Sequence, residues 1–125
     1  MGNQPLRGWA RLAAAYRNSK AGFRDAWTGE EAFRQEIVAL ALSVPAAWVL
    51  ADTLFQAAVL IASVLLIVIV EVLNSAIESV VDRIGPERHD LSRKAKDMGS
   101  LAVLLAACLA GIIWLAAIWQ AVFGA

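Results

Sequence analysis

Two glutamates, an asparagine and an aspartate recur in Glu71-Val-Leu-Asn-Ser-Ala-Ile-Glu-Ser-Val-Val-Asp82, directly after an almost wholly apolar run, Leu54 to Val70. At about 100° per residue, Glu71, Asn74, Glu78 and Asp82 fall within about 80° of one another on a helix and form one polar stripe. A carboxylate at the centre of a membrane helix costs about 2.5–3.5 kcal/mol, so acids retained there face protein or a wet cavity and mark functional sites. Acids converging at one level, with basic residues beside them, can hold a hard cation or move a proton. Mg²⁺ favours one or two carboxylates together with phosphate oxygens and water. With Lys or Arg neutralising the remaining phosphate charge, these parts suit phosphoryl transfer, where positioning and electrostatics carry most of the catalysis. Glu71, the acid set farthest from the polar end of the stripe, is placed to act as general base.

Further charged groups lie within reach of this stripe. Glu30, Glu31, Arg34, Gln35 and Glu36 form a polar cluster just ahead of the next apolar window. That cluster enters the membrane where the helix carrying Glu78 leaves it, so some of its acids can approach Glu78. Arg11 and Arg24, on a segment before it, could grip phosphate. Beyond Asp82, the segment from Gly85 to Ser100 turns the chain round with Gly-Pro punctuation, and Lys94, Lys96 and Asp97 sit where the following span begins. Lys96 and Asp97 meet the level of Glu78. The one histidine, His89, has no cysteine cluster beside it and makes no zinc site. There is no G-x-x-x-x-G-K-[ST] loop and no G-x-G-x-x-G after a strand, so any nucleotide is held by side chains and metal.

The elements that must position these residues follow from composition. Of 125 residues 60% are hydrophobic and the mean hydropathy is +0.64, against about 45–50% apolar residues in soluble domains. The chain therefore reads as an all-α integral membrane protein, a single domain with three spans of about 20 residues or more. They are expected at about 33–51, 54–82 and 97–123, with Pro45 kinking the first or making it borrow length from residues 32–36. Ahead of them Trp9, Leu12, Tyr16, Phe23 and Trp27 share one face of an expected surface helix at about 5–28, with Arg7 and Arg11 opposite, as in a helix lying among lipid headgroups. Gly22 is expected to divide it. All eleven Lys and Arg lie before residue 35 or between Arg83 and Lys96. By the positive-inside rule the N-terminus and the 83–96 segment are cytoplasmic and the C-terminus is outside. No apolar signal-peptide core precedes residue 30, so the chain is expected to be used whole. Cys108 stands alone and forms no intrachain disulfide.

At 1.5 Å per residue, Glu71 lies about 16 Å deeper than Asp82 and Glu78 about 6 Å deeper. Acids graded from bilayer interior to surface suit a reaction between a lipid headgroup and a water-soluble reagent better than a transmembrane pore. On the residues alone three classes stay open: a metal-assisted enzyme, a non-enzymatic ion-binding or assembly subunit, and a passive protein in which the stripe sets registry.

Glu71-x-x-Asn74-Ser-Ala-Ile-Glu78-x-x-x-Asp82, followed by Lys94-Ala-Lys96-Asp97-Met98, resembles the prokaryotic diacylglycerol kinases over nearly the whole chain. Trp27, Glu30, Ala32-Phe-Arg-Gln-Glu36 and Val81-Asp-Arg-Ile-Gly85 resemble the Gram-negative branch more than the undecaprenol kinases. The resemblance implies a homotrimer of the bacterial inner membrane with active sites shared between subunits. It implies transfer of the γ-phosphate of ATP, with Mg²⁺, to diacylglycerol, and no nucleic-acid partner. Glu71 would accept the lipid hydroxyl proton, Asn74 would order the site, and Glu30 and Glu78 would hold Mg²⁺. Nucleotide contacts would come from Arg11, Asn18, Glu30, Glu78, Asp82, Glu87, His89, Lys96 and Asp97. Arg11, Arg24, Trp27, Arg34, Gln35, Glu36, Glu71, Ser100, Trp114 and Trp119 would border the lipid. The chain departs from the family where members often carry an aromatic at the place of Asn18 and a lysine at that of Ala21. Undecaprenol is the alternative acceptor, and small residues such as Ser75, Ala76 and Ser79 would pack subunits together and shield Glu71 from lipid.

Overall fold

The computed structural model describes residues 4–124, whose regular structure is all helical. The order is α1 (Gly8–Gly29), α2 (Glu31–Leu50), α3 (Leu54–Ile84) and α4 (Asp90–Phe123). Among the described residues α2, α3 and α4 are long and apolar enough to cross a membrane.

Gly22 does not divide α1, which runs unbroken from Gly8 to Gly29. A Cβ at Gly22 would meet nothing, and the cost of a helical glycine, about 1 kcal/mol against alanine, is too small to interrupt a helix this long. The break falls at Glu30 instead, whose backbone is extended (φ −125°, ψ 107°). Its N–H closes α1 on the Ala26 carbonyl at 3.0 Å while its own carbonyl accepts from the Arg34 N–H at 3.2 Å. One residue thus ends one helix and opens the next. Phe23 stacks on Trp27 and meets Phe33 of α2 edge-on at 5.4 Å, and the Arg34 guanidinium donates to the Trp27 carbonyl at 2.7 Å. These contacts fix the end of α1 to the start of α2.

The short apolar window of the first span is completed from the polar segment before it, since α2 begins at Glu31. The helix continues through Pro45, which leaves the Ala41 carbonyl without its intrahelical donor. A cap separates α2 from α3: the Thr53 hydroxyl accepts from the Gln56 N–H, and the Gln56 amide oxygen accepts from the Asp52 N–H at 2.8 Å. After α3 the chain turns at Gly85, whose φ of +150° only glycine adopts readily. His89 then caps α4, its Nδ1 accepting from the Leu91 N–H at 3.0 Å. The connection therefore spans only Gly85 to His89 rather than extending to Ser100. Lys94, Lys96 and Asp97 stand on the first turns of α4, because a membrane helix keeps its hydrogen-bonded register beyond the apolar zone when its polar residues are good helix formers.

α3 lies between α2 and α4 and packs against both. Small residues allow the close approach: α4 buries Gly99, Ala106 and Ala110, and Ala47, Ala57 and Leu60 form a core at the other end. A polar tie crosses this apolar interior. The Trp114 indole N–H lies 3.1 Å from both the Leu60 carbonyl and the Ser63 hydroxyl, and Ser63 itself donates to Leu60 at 2.7 Å.

Candidate active site

The α3 stripe forms with the gradient that its spacing implies. Glu71 and Asn74 are 8% and 9% exposed, Glu78 is half-buried and Asp82 is exposed. The Asn74 amide nitrogen points to Glu78 Oε1 at 3.4 Å, a long hydrogen bond. Its amide oxygen is buried with no hydrogen-bond partner among the described residues, and so is Oε2 of Glu36.

The α1–α2 break, the first turns of α2 and the second half of α3 bring acids near one another here. Glu78 and Glu30 lie within electrostatic reach of Glu71, and Glu71 within reach of Glu36. Of the polar cluster at the start of α2, Glu30 and Glu36 thus approach Glu71 of the α3 stripe, because the one-residue break at Glu30 sets the start of α2 beside it. Glu30 also lines a cleft between α1 and α3 with Gly22, Asp25, Ser75 and Ser79.

A second cleft opens at the α3–α4 turn. Asp82, Glu87, His89 and Lys96 line it together with Arg88, Ser92 and Arg93. Lys96 Nζ donates to Asp82 Oδ1 at 2.9 Å, and Asp97 pairs with Arg93, also at 2.9 Å. Four residues expected at a nucleotide are thus gathered in one place, with cations beside them.

The remaining expected residues are distributed more widely. Arg11, Asn18 and Arg24 lie exposed along α1 and line neither cleft. Arg34 is committed to the Trp27 carbonyl, and Gln35 reaches Glu31 at 3.4 Å. Ser100 is exposed on α4. Trp114 sits on the tie to α3, and Trp119 packs on Phe123 with ring centroids 4.4 Å apart. Arg93 escaped the reading of the sequence as a site residue, although its i,i+4 spacing to Asp97 signals the pair. Gly99, against which Asn74 lies, gave no signal, since contacts across helices leave no periodicity.

Among the described residues no three His, Cys, Asp or Glu side chains converge as a metal cage. Two hard carboxylates, Glu30 and Glu78, neither held by an ion pair among the described residues, match the sparse protein ligation that Mg²⁺ takes when phosphate oxygens complete its shell. By donor chemistry, two hard oxygen ligands, these residues suit that ion.

Three membrane-length helices carrying a buried carboxylate, an amide and flanking cations at one end define a helical membrane-protein class with an acidic site suited to phosphate chemistry. Residues 17–118 match the family model for prokaryotic diacylglycerol kinase. The chain is 52% identical over 114 residues to the diacylglycerol kinase of Escherichia coli (strain K12), covering 90% of this chain and 93% of that protein. It is 45% identical over 107 residues to the diacylglycerol kinase of Pseudomonas aeruginosa (86% and 87% covered), and 43% identical over 107 residues to that of Haemophilus influenzae (86% and 91%). The chain belongs to the prokaryotic diacylglycerol kinase family.

Proposed function

We propose that this protein phosphorylates diacylglycerol with ATP at the cytoplasmic face of the bacterial inner membrane, giving phosphatidic acid and ADP. The observation that carries the reading is the buried Glu71–Asn74 pair beside Glu78 in a chain whose relatives are diacylglycerol kinases over nine-tenths of its length.

In the reaction the free hydroxyl oxygen of the lipid attacks the γ-phosphorus of ATP, its proton passes to the Glu71 carboxylate, and the bond from γ-phosphorus to the bridging oxygen breaks to release ADP. Burial removes competing water from Glu71, which favours proton transfer from the lipid alone. Asn74 steadies Glu78 through its amide nitrogen. Glu30 and Glu78 would hold Mg²⁺, which supplies neutralisation of phosphate charge when bound. Lys96, with Asp82, Glu87, His89 and Asp97, would receive the nucleotide at the α3–α4 cleft, and Arg11 and Asn18 would approach it from α1. The lipid would lie along Arg24, Trp27, Arg34, Gln35, Glu36 and Ser100, with Trp114 and Trp119 along its chains.

Orientation and assembly complete the reading. The basic segment 83–96 and the N-terminal arginines support a cytoplasmic position for the site end of the helices, with α1 lying on the membrane surface in this reading. Ser75, Ala76 and Ser79 present a small-residue face on α3 next to the carboxylates, suited to a second subunit in a homotrimer with shared sites. Offering purified protein diacylglycerol and undecaprenol separately, with MgATP in mixed micelles, tests the acceptor: phosphatidic acid is the expected product, and phosphate on undecaprenol alone would replace the acceptor while keeping the chemistry.

A further inference from the structure

Gly99 of α4 is buried, and its missing side chain matters at one place. A Cβ built there collides with Asn74 Oδ1 and comes within 3.2 Å of Asn74 Cγ. The Asn74 amide is therefore laid directly against the α4 backbone. This explains why Oδ1 is shut off from solvent yet has no hydrogen-bond partner among the described residues. The same contact leaves Nδ2 turned to Glu78; the flipped amide would set two oxygens against each other. By contrast, a Cβ at Gly111, farther along the same helix, would meet nothing within 4 Å, so α4 as a whole does not require glycine.

We propose that Gly99 is a positioning residue for phosphoryl transfer: it gives the Asn74 amide a flat seat on α4 and thereby holds Glu78 in register with Glu71. It touches no substrate and acts only through Asn74. The proposal rests on the kinase reading above, but the seat is a structural relationship that can be measured without turnover. Any β-carbon at 99 must push the amide away, and a misplacement of about 1 Å at a reacting centre can lower a rate about 100-fold.

The test is a double-mutant cycle in full-length protein with G99A, N74A, G99A/N74A and G111A, reading kcat, KM for ATP and the unfolding midpoint of each. The expected result is a kcat about tenfold or more below wild type for G99A with KM changed less than about twofold, and G111A like wild type. In the N74A background, where the shorter side chain leaves room, adding G99A should change neither the residual rate nor the midpoint. If G99A fails to fold while G99A/N74A folds, the collision with Asn74 is established directly. Near-normal turnover in G99A, an equal loss in both backgrounds, or failure of both variants to fold would each overturn the proposal, assigning Gly99 to general packing. Wild-type protein without kinase activity would instead defeat the underlying reading, and the midpoints would still report on the seat.

Discussion

Lys96 Nζ lies 2.9 Å from Oδ1 of Asp82, joining the last turns of α3 to the first turns of α4. The Asp82 side chain is largely open to solvent and that of Lys96 partly so, and ion pairs of that kind contribute little to stability. On the proposed reading it is the Lys96 ammonium that serves the nucleotide phosphate, while the pair adds little to holding the helices together. Lys96→Met should lower kcat/KM for ATP by about 10- to 100-fold, the worth of a hydrogen bond to a charged group, while the unfolding midpoint stays near wild type. Initial rates across ATP concentrations, measured with thermal unfolding in the same detergent, separate the two effects.

Trp114 should behave in the opposite way. Its indole N–H serves the Leu60 carbonyl and the Ser63 hydroxyl inside the helix interface. Trp114→Phe keeps an aromatic ring but removes the donor and some volume, so it should destabilise by about 1–3 kcal/mol. At saturating diacylglycerol and temperatures well below unfolding, kcat should remain within about twofold of wild type because the tie lies turns away from Glu71, and any lost lipid contact should show only in the KM for lipid. Denaturant unfolding together with kcat at low temperature checks this.

The two carboxylates proposed for Mg²⁺ give a titration. Chelation should stop turnover and added Mg²⁺ should restore it. Glu78→Gln should raise the Mg²⁺ concentration for half-maximal rate by about tenfold or more, in line with losses seen when a metal's supporting ligands are changed. An unchanged Mg²⁺ midpoint in that variant would move the metal elsewhere.

Topology can be tested by accessibility. With Cys108 replaced by alanine, a cysteine at Thr53, in the α2–α3 turn, should react with a membrane-impermeant maleimide from outside intact cells. A cysteine at Ser92, beside the α3–α4 turn, should react only after permeabilisation. Reversed labelling would invert the orientation.

How much of this was legible in the sequence depends on the range of the interaction. The α3 stripe was, because Glu71, Asn74, Glu78 and Asp82 share one helix and periodicity alone aligns them. Membrane-length helices were equally plain from composition. The start of α4 was not: the charged turns around Arg93 and Lys96 resemble a solvated loop, and only the His89 cap and the continuing hydrogen-bond ladder make them helix. Gly22 misled in the other direction, since an isolated glycine marks a break only when space or a positive φ demands it. The meeting of Glu30 and Glu36 with Glu71 depended on a single extended residue between α1 and α2, and the seat of Asn74 on Gly99 depended on the approach of two helices. Neither is written in the pattern of either helix alone.

The central claim is that Glu71 takes the proton of a lipid hydroxyl, and Glu71→Gln tests it most directly because the change is nearly isosteric. Phosphatidic acid formation from diacylglycerol and ATP should fall by about 10²–10⁴-fold, with the protein still folded and KM for ATP little changed. Turnover within a few-fold of wild type would contradict the account, leaving the buried glutamate a structural or ion-binding role.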